Sequence, residues 1–215
     1  MDSSLFEILG YSVSSALLIE ALAVLLTFLC ILAAVREKIL TFPLGMTATA
    51  IYFYIFFIQH VYSSMILQAV FFVFNAYGLY RWTHPASGRA NSENRLAVTL
   101  CSRRQRMICV LSVIIITVTW GYISGRLHIW IPALFTEPAE YANIDAFILA
   151  ASLVGQYLMA IKKLENWIFW FTVDIVAAPF YTITVGWFTG TLYLVFIFTA
   201  ISGFFNWKKN LRLDD

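Results

Sequence analysis

Apolar segments of about 20 residues recur along this chain, at 15–35, 42–60, 63–82, 107–125, 143–161, 166–187 and 189–207, each enough to cross a hydrocarbon layer at ~1.5 Å rise per residue. A segment crossing lipid must satisfy its own backbone hydrogen bonds, so segments of this length are expected to be helices. The expected fold is therefore an all-α integral membrane protein with seven transmembrane helices. Composition supports this: 61% of residues are apolar and 12% are charged, against roughly a quarter charged in soluble domains. The least marked boundary is Val185 to Thr191, where Gly186 and Gly190 place a break between the last two spans.

The basic residues test that count. With seven spans, Arg36, Lys38, Arg81, Arg89, Arg95, Arg103, Arg104, Arg106, Lys162, Lys163, Lys208, Lys209 and Arg212 fall on one side and Arg126 alone on the other. Under the positive-inside rule the N-terminus lies outside and the C-terminus in the cytoplasm. Six spans would put the C-terminal cluster on the face opposite the rest. The first residues, MDSSLFEILG, lack a basic start, so a retained first helix is expected after an outer tail of residues 1–14. Residues 83–106, with Ser87, Gly88, Ser92 and Ser102 among arginines, read as a solvated cytoplasmic linker that meets lipid headgroups rather than nucleic acid. Residues 107–125 form a connecting helix, 126–142 an outer loop with Trp130, Pro132 and Pro138, and 208–215 a cytoplasmic tail. Cys30, Cys101 and Cys109 have neither metal nor disulfide spacing.

An internal repeat organises the chain. Sliding it by 125 residues without a gap lays 15–82 on 140–207: Gly78 meets Gly203, Trp82 meets Trp207, Lys38 meets Lys163, and Leu67, Val70 and Phe71 meet Leu192, Val195 and Phe196. Glu20 falls on Asp145 and Phe42 on Trp167. Only ten of 68 pairs are identical, but helix edges, basic boundaries and the closing Gly-x-x-x-Trp keep register. The expected plan is three plus one plus three, the first repeat at 15–82 and the second at 143–207. Four crossings separate equivalent helices, which makes the repeats parallel.

Parallel repeats are a transporter design whose substrate binds near mid-bilayer at their interface. Asp174 is a carboxylate well inside a span, an expensive placement that points to a ligand or a watery cavity. Trp167 and Trp170, seven and four residues before it, share its helical face, and two indoles beside an anion suit a flat cation. On the third helix, Asn75 comes out level with Asp174, and Gln68 sits two turns along the same face. Tyr193 and Gln156 complete the candidate lining. Plainer roles stand beside these: an aromatic-belt anchor for Trp167, helix-to-helix hydrogen bonding for Gln68, Asn75 and Asp174, and packing for Tyr193. Pro179 is expected to loosen the helix near Ile175. Gly121 and Gly125 form a small-xxx-small pair. His60, His84 and His128 fall in loops with no carboxylate cluster beside them, and no nucleotide loop is present, so neither cofactor nor metal is expected. A membrane enzyme and a non-transporting receptor are the readings from other classes.

REKILTFPLG, SSMILQAVFFVFNAYGLYRW and ENWIFWFTVD followed by LYLVFIFTAISGFFNW resemble the Pnu-type bacterial vitamin transporters. That resemblance implies a seven-helix, SWEET-like fold, a homotrimer in the bacterial inner membrane, and facilitated diffusion made directional by a cytoplasmic kinase that phosphorylates the vitamin. It matches Trp167 and Trp170 to the family's substrate-side WxxW, Gln68 and Asn75 to polar positions on the third helix, and Asp174 to a position where some members carry Asn. Ser202, where the nicotinamide riboside type tends to have Asn, departs from the pattern, as does Phe42. Nicotinamide riboside is the expected substrate, with thiamine, riboflavin and deoxynucleosides as the cargo of sister subfamilies.

Overall fold

A computed structural model of the chain describes residues 4–8, 11–58, 62–88, 90–91, 95–133, 138–184 and 187–212. Eight helices are described: α1 (Ser15–Val35), α2 (Thr41–Ile58), α3 (Tyr62–Thr83), α4 (Arg103–Ser124), the single turn α5 (Leu127–Trp130), α6 (Ala142–Ala160), α7 (Asn166–Thr184) and α8 (Trp187–Lys209). Among the described residues six of them, all but α3 and α5, are apolar and long enough to cross a membrane. The 22-residue α3 has the length but carries Gln68, Asn75 and Arg81. Helix α7 stops at Thr184 and α8 starts at Trp187, which separates the last two spans; Val185 and Gly186 lie outside the described residues, as do Arg89, Ser92 and His60.

Several expectations need correction. Ahead of the helices, β1 (Ser4–Ile8) and β2 (Tyr11–Ser14) pair antiparallel where only a tail is expected. Alternation of Tyr11 and Val13 with Ser12 and Ser14 gives β2 the period of a strand. The connecting helix begins at Arg103 rather than 107, since Ser102 caps it: its hydroxyl accepts from Gln105 N at 3.2 Å, and the Gln105 side chain accepts from Ser102 N at 2.9 Å. Arg103, Arg104 and Arg106 are thus first-turn residues. His128 sits on α5, not in a loop. Nor is the linker solvated throughout, because Leu96, Ala97, Val98 and Cys101 are buried.

The chain divides into two units, residues 1–95 and 96–215. In the first, α2 packs on both α1 and α3; in the second, α7 packs on both α6 and α8, and α6 also packs on α4. Small residues on α6, Ala146, Ala150, Ala151, Ser152 and Gly155, let its two neighbours approach. On α4, Gly121 leaves so little space that a Cβ there would stand 2.5 Å from Asn143 Oδ1 of α6, so this glycine seats α4 within the unit. The outer face of α4, with Ile115 and Val118 more than 60% exposed, offers the apolar surface that hydrocarbon requires.

The two units build the same corner between their first two aligned helices. Helix α1 ends with Glu37 in the left-handed region (φ 53°), its N–H on Ala34 O at 2.9 Å and Lys38 N on Ala33 O at 2.9 Å. Helix α6 ends with Lys162 at φ 57°, Lys162 N on Met159 O at 3.0 Å and Lys163 N on Leu158 O at 2.9 Å. Both are Schellman endings in register at the 125-residue offset, although neither uses the usual glycine. Further bonds keep the offset: Thr41 N to Lys38 O recurs as Asn166 N to Lys163 O, and Phe42 N to Ile39 O as Trp167 N to Leu164 O.

In the second unit, residues 96–102 run beside the α6–α7 corner and the end of α8. Val98 pairs with Leu211 and Thr99 with Lys163, both parallel, while Leu164 N donates to Thr99 O at 3.0 Å and Arg212 N to Val98 O at 2.9 Å. Glu165, just before α7, takes the Cys101 N–H on both carboxylate oxygens at 3.0 Å and Arg106 Nε at 3.1 Å. Its negative charge also suits the N-terminus of α7. Burial, and next the Glu165 charge beside it, pushes the Cys101 thiol up to about 12.

Candidate substrate-binding residues

In the first unit the candidates lie on α3. Asn75 is 5% exposed. Its Nδ2 donates to Phe71 O at 2.9 Å, and its amide lies across Gly45 of α2, where a Cβ would stand 2.6 Å from Oδ1. One turn on from Gly45, buried Thr49 donates to Gly45 O at 2.9 Å. Gln68, on the same face of α3 as Asn75, is half-buried and has no hydrogen-bond partner among the described residues.

The second unit holds the rest. Trp167 is buried in the α7–α8 packing: it meets Trp207 edge-to-face at 5.5 Å and 89°, and a Cβ on Gly203 would fall 2.5 Å from its ring. A belt anchor would face the lipid boundary; this indole instead clamps two helices, and its buried N–H finds no acceptor among the described residues. Trp170, one turn along α7, is only half-buried. Its Cε2 and Nε1 lie 3.4 Å from where a Cβ on Gly155 of α6 would be, so that glycine makes room for the ring. Asp174, a turn further on the same face, is 5% exposed with no hydrogen-bond or ionic partner among the described residues. Tyr193 of α8 stacks on Tyr181 at 5.0 Å and 22°, and Gln156 of α6 is half-buried beside Gly155. Helix α7 runs unbroken through Pro179 to Thr184.

The repeat therefore reappears in three dimensions as one aromatic lock per unit. Phe42 meets Trp82 edge-to-face at 4.9 Å and 88°, and a Cβ on Gly78 would collide with the Phe42 ring. Adding 125 to each number gives Trp167, Trp207 and Gly203. Around that shared lock the chemistry differs between units: Gly45 aligns with Trp170, Thr49 with Asp174, Asn75 with Ala200 and Gln68 with Tyr193. Gly45 and Thr49 are absent from the sequence-derived candidates, although the offset that pairs Phe42 with Trp167 points to both.

Asp174 and Trp170 together form an anionic, aromatic face on α7. A carboxylate out of water and without a partner is costly, and a cationic ring stacked on the indole would supply both the missing charge and apolar contact.

Comparison with known proteins bears on what such a face serves. A family model described as nicotinamide mononucleotide transporter matches residues 17–209. The nicotinamide riboside transporter PnuC of Escherichia coli (strain K12) is 26% identical over 220 residues, covering 94% of this chain and 89% of that protein. The riboflavin/roseoflavin transporter RibM of Streptomyces davaonensis is 25% identical over 179 residues, covering 83% and 79%. A crystal structure of the vitamin B3 transporter PnuC superposes with a TM-score of 0.63 at 20% identity, over 89% of this chain and 81% of that one, and so shares the fold. Matched along nearly its whole length, the chain belongs to the nicotinamide mononucleotide transporter family.

Proposed function

We propose that this protein takes up nicotinamide riboside across the bacterial cytoplasmic membrane by facilitated diffusion. One observation carries the choice of substrate: Asp174, buried and unpartnered among the described residues, lies one turn from the half-exposed indole of Trp170 on one face of α7. Nicotinamide riboside presents a flat, positively charged pyridinium ring, which matches indole and carboxylate together. PnuC of E. coli, similar over 94% of this chain, is a nicotinamide riboside transporter. In this reading Trp170 and Asp174 of the second unit receive the pyridinium, with Tyr193 and Gln156 lining the route in that unit and Trp167 holding α7 against α8; Asn75 and Gln68 are the substrate-binding polar groups of the first unit. We infer seven crossings in a three-plus-one-plus-three arrangement of parallel repeats, with α3 as the polar crossing, the N-terminus outside and the C-terminus in the cytoplasm. The matching corners and locks support that plan. The reading also includes a homotrimer surrounded by lipid, and a cytoplasmic kinase that traps the product.

The test is calorimetric titration of the purified protein, followed by counterflow in proteoliposomes. Saturable nicotinamide riboside binding with exchange in the absence of any gradient is expected, and failure of both overturns the reading. Riboflavin is the second reading, favoured by the similarity to RibM and by the Tyr181–Tyr193 stack. It has no cation for Asp174, so Asp174→Asn should leave riboflavin binding intact while weakening nicotinamide riboside.

A further inference from the structure

We propose that Gly45 is a positioning residue: by lacking a side chain it fixes the amide of Asn75 in the orientation that receives substrate. This inference rests on the transport reading above and concerns a residue to which that reading gives no role. The geometry is local to the first unit. Gly45 is buried, and a Cβ on it would lie 2.6 Å from Asn75 Oδ1, 3.0 Å from Cγ and 3.1 Å from Nδ2. All three distances are short, so the amide lies flat on the α2 backbone. The amide's rotation is fixed as well, because Nδ2 donates to Phe71 O at 2.9 Å. What remains is one N–H and the Oδ1 acceptor, which has no partner among the described residues. Oδ1 is not among the fully buried atoms that lack a partner, so this acceptor on a 5% exposed residue is left open to pair with a ligand. The hydroxyl of Thr49 is not its partner, since it donates to Gly45 O at 2.9 Å and Met46 O at 3.1 Å.

A second observation comes from the repeat. The positions of Gly45 and Asn75 are those of Trp170 and Ala200 in the second unit. In each unit one of the two positions is small and the other bears a functional group, with the roles exchanged: glycine and amide in the first, indole and alanine at the aligned positions of the second. Packing alone gives no reason for the exchange, because the corners and locks on either side are kept. A difference in chemistry does: at this place the first unit carries a hydrogen-bonding group and the second a stacking one.

Gly45→Ala tests this because the three atoms nearest the new methyl all belong to the end of the Asn75 side chain, which can turn aside by giving up its bond to Phe71 O without a helix having to move. Gly45→Ala, Asn75→Ala and the double variant are purified, and two quantities are measured: thermal stability without ligand, and nicotinamide riboside affinity by calorimetry. The expected result is unliganded stability close to that of the parent in all three, with affinity roughly tenfold weaker in each single variant. The double variant should be no weaker than Asn75→Ala alone, since Gly45 acts only through that amide. Parental affinity in Gly45→Ala overturns the proposal, as does an additive loss in the double variant. If Gly45→Ala unfolds, the amide is wedged rather than adjustable and the proposal also fails, whether or not the double variant folds. A parent that binds neither nicotinamide riboside nor riboflavin would instead reject the transport reading itself.

Discussion

At the scale of single residues, α7 separates structural from chemical aromatics. Trp167 fills a gap left by Gly203, whereas Trp170 keeps part of its ring free beside Asp174. Trp170→Ala should therefore weaken nicotinamide riboside binding by about 1–2 kcal/mol, the worth of one desolvated cation–π contact, with little effect on unliganded stability. Asp174→Asn should do the opposite to stability: removing an unpartnered buried carboxylate raises the unliganded melting temperature while affinity for the cation falls. Paired calorimetry and thermal melts check both, and a lower melting temperature for Asp174→Asn would mean that the carboxylate is a structural hydrogen-bond acceptor. Cys101 gives a pH prediction. Its thiol is raised to about 12 by burial and the nearby Glu165 carboxylate, so folded protein holds that proton after the unfolded chain has lost it. Stability is then unaffected below the ordinary thiol range and falls as pH rises from there toward 12. At pH 8 folded protein should leave Cys101 unlabelled by iodoacetamide, and denaturant should expose it.

Elements are held together by close packing, because lipid tails compete with apolar side chains on equal terms. That makes the two aromatic locks the contacts most sensitive to volume. In both, the atom that a new methyl would meet belongs to a buried aromatic ring already clamped by a tryptophan. Gly78→Ala and Gly203→Ala should each cost about 1–3 kcal/mol by overpacking. Gly45→Ala, facing a movable amide, should cost much less; thermal melts of the three variants give the order. The corners at Glu37 and Lys162 show where element boundaries escape sequence reading. With no glycine at either helix end, nothing in the letters marks a left-handed residue, yet the hydrogen bonds place one at the same point in both units. The segment 96–102 was equally illegible. Its partners, Lys163, Glu165, Leu211 and Arg212, are 60 or more residues away, and arginines around an apolar run disguise it as solvated loop.

For the molecule as a whole, the helical character of the long apolar segments and the 125-residue offset were readable because lipid imposes length and apolarity on every span. The site was half readable: Asp174 and Trp170 announce themselves as polar and aromatic exceptions in a span, whereas Gly45 is defined only by what lies against it. The duplicated scaffold keeps the geometry of its locks and corners while most of the aligned residues differ. Facilitated diffusion of a cation has an electrical consequence. If the pyridinium crosses while Asp174 stays ionised on the protein, each turnover moves one positive charge, and a potential of 100 mV, inside negative, contributes about 2.3 kcal/mol to uptake. Proteoliposomes with a potassium diffusion potential set by valinomycin should then accumulate labelled nicotinamide riboside roughly fifty-fold per 100 mV, with no response to a pH gradient. An exchange of the cation for a proton released by Asp174 would give the reverse, accumulation that follows the pH gradient and ignores the potential. Asp174→Asn separates the two further: a uniporter with a weaker site still responds to voltage, whereas an antiporter that has lost its proton carrier no longer responds to pH.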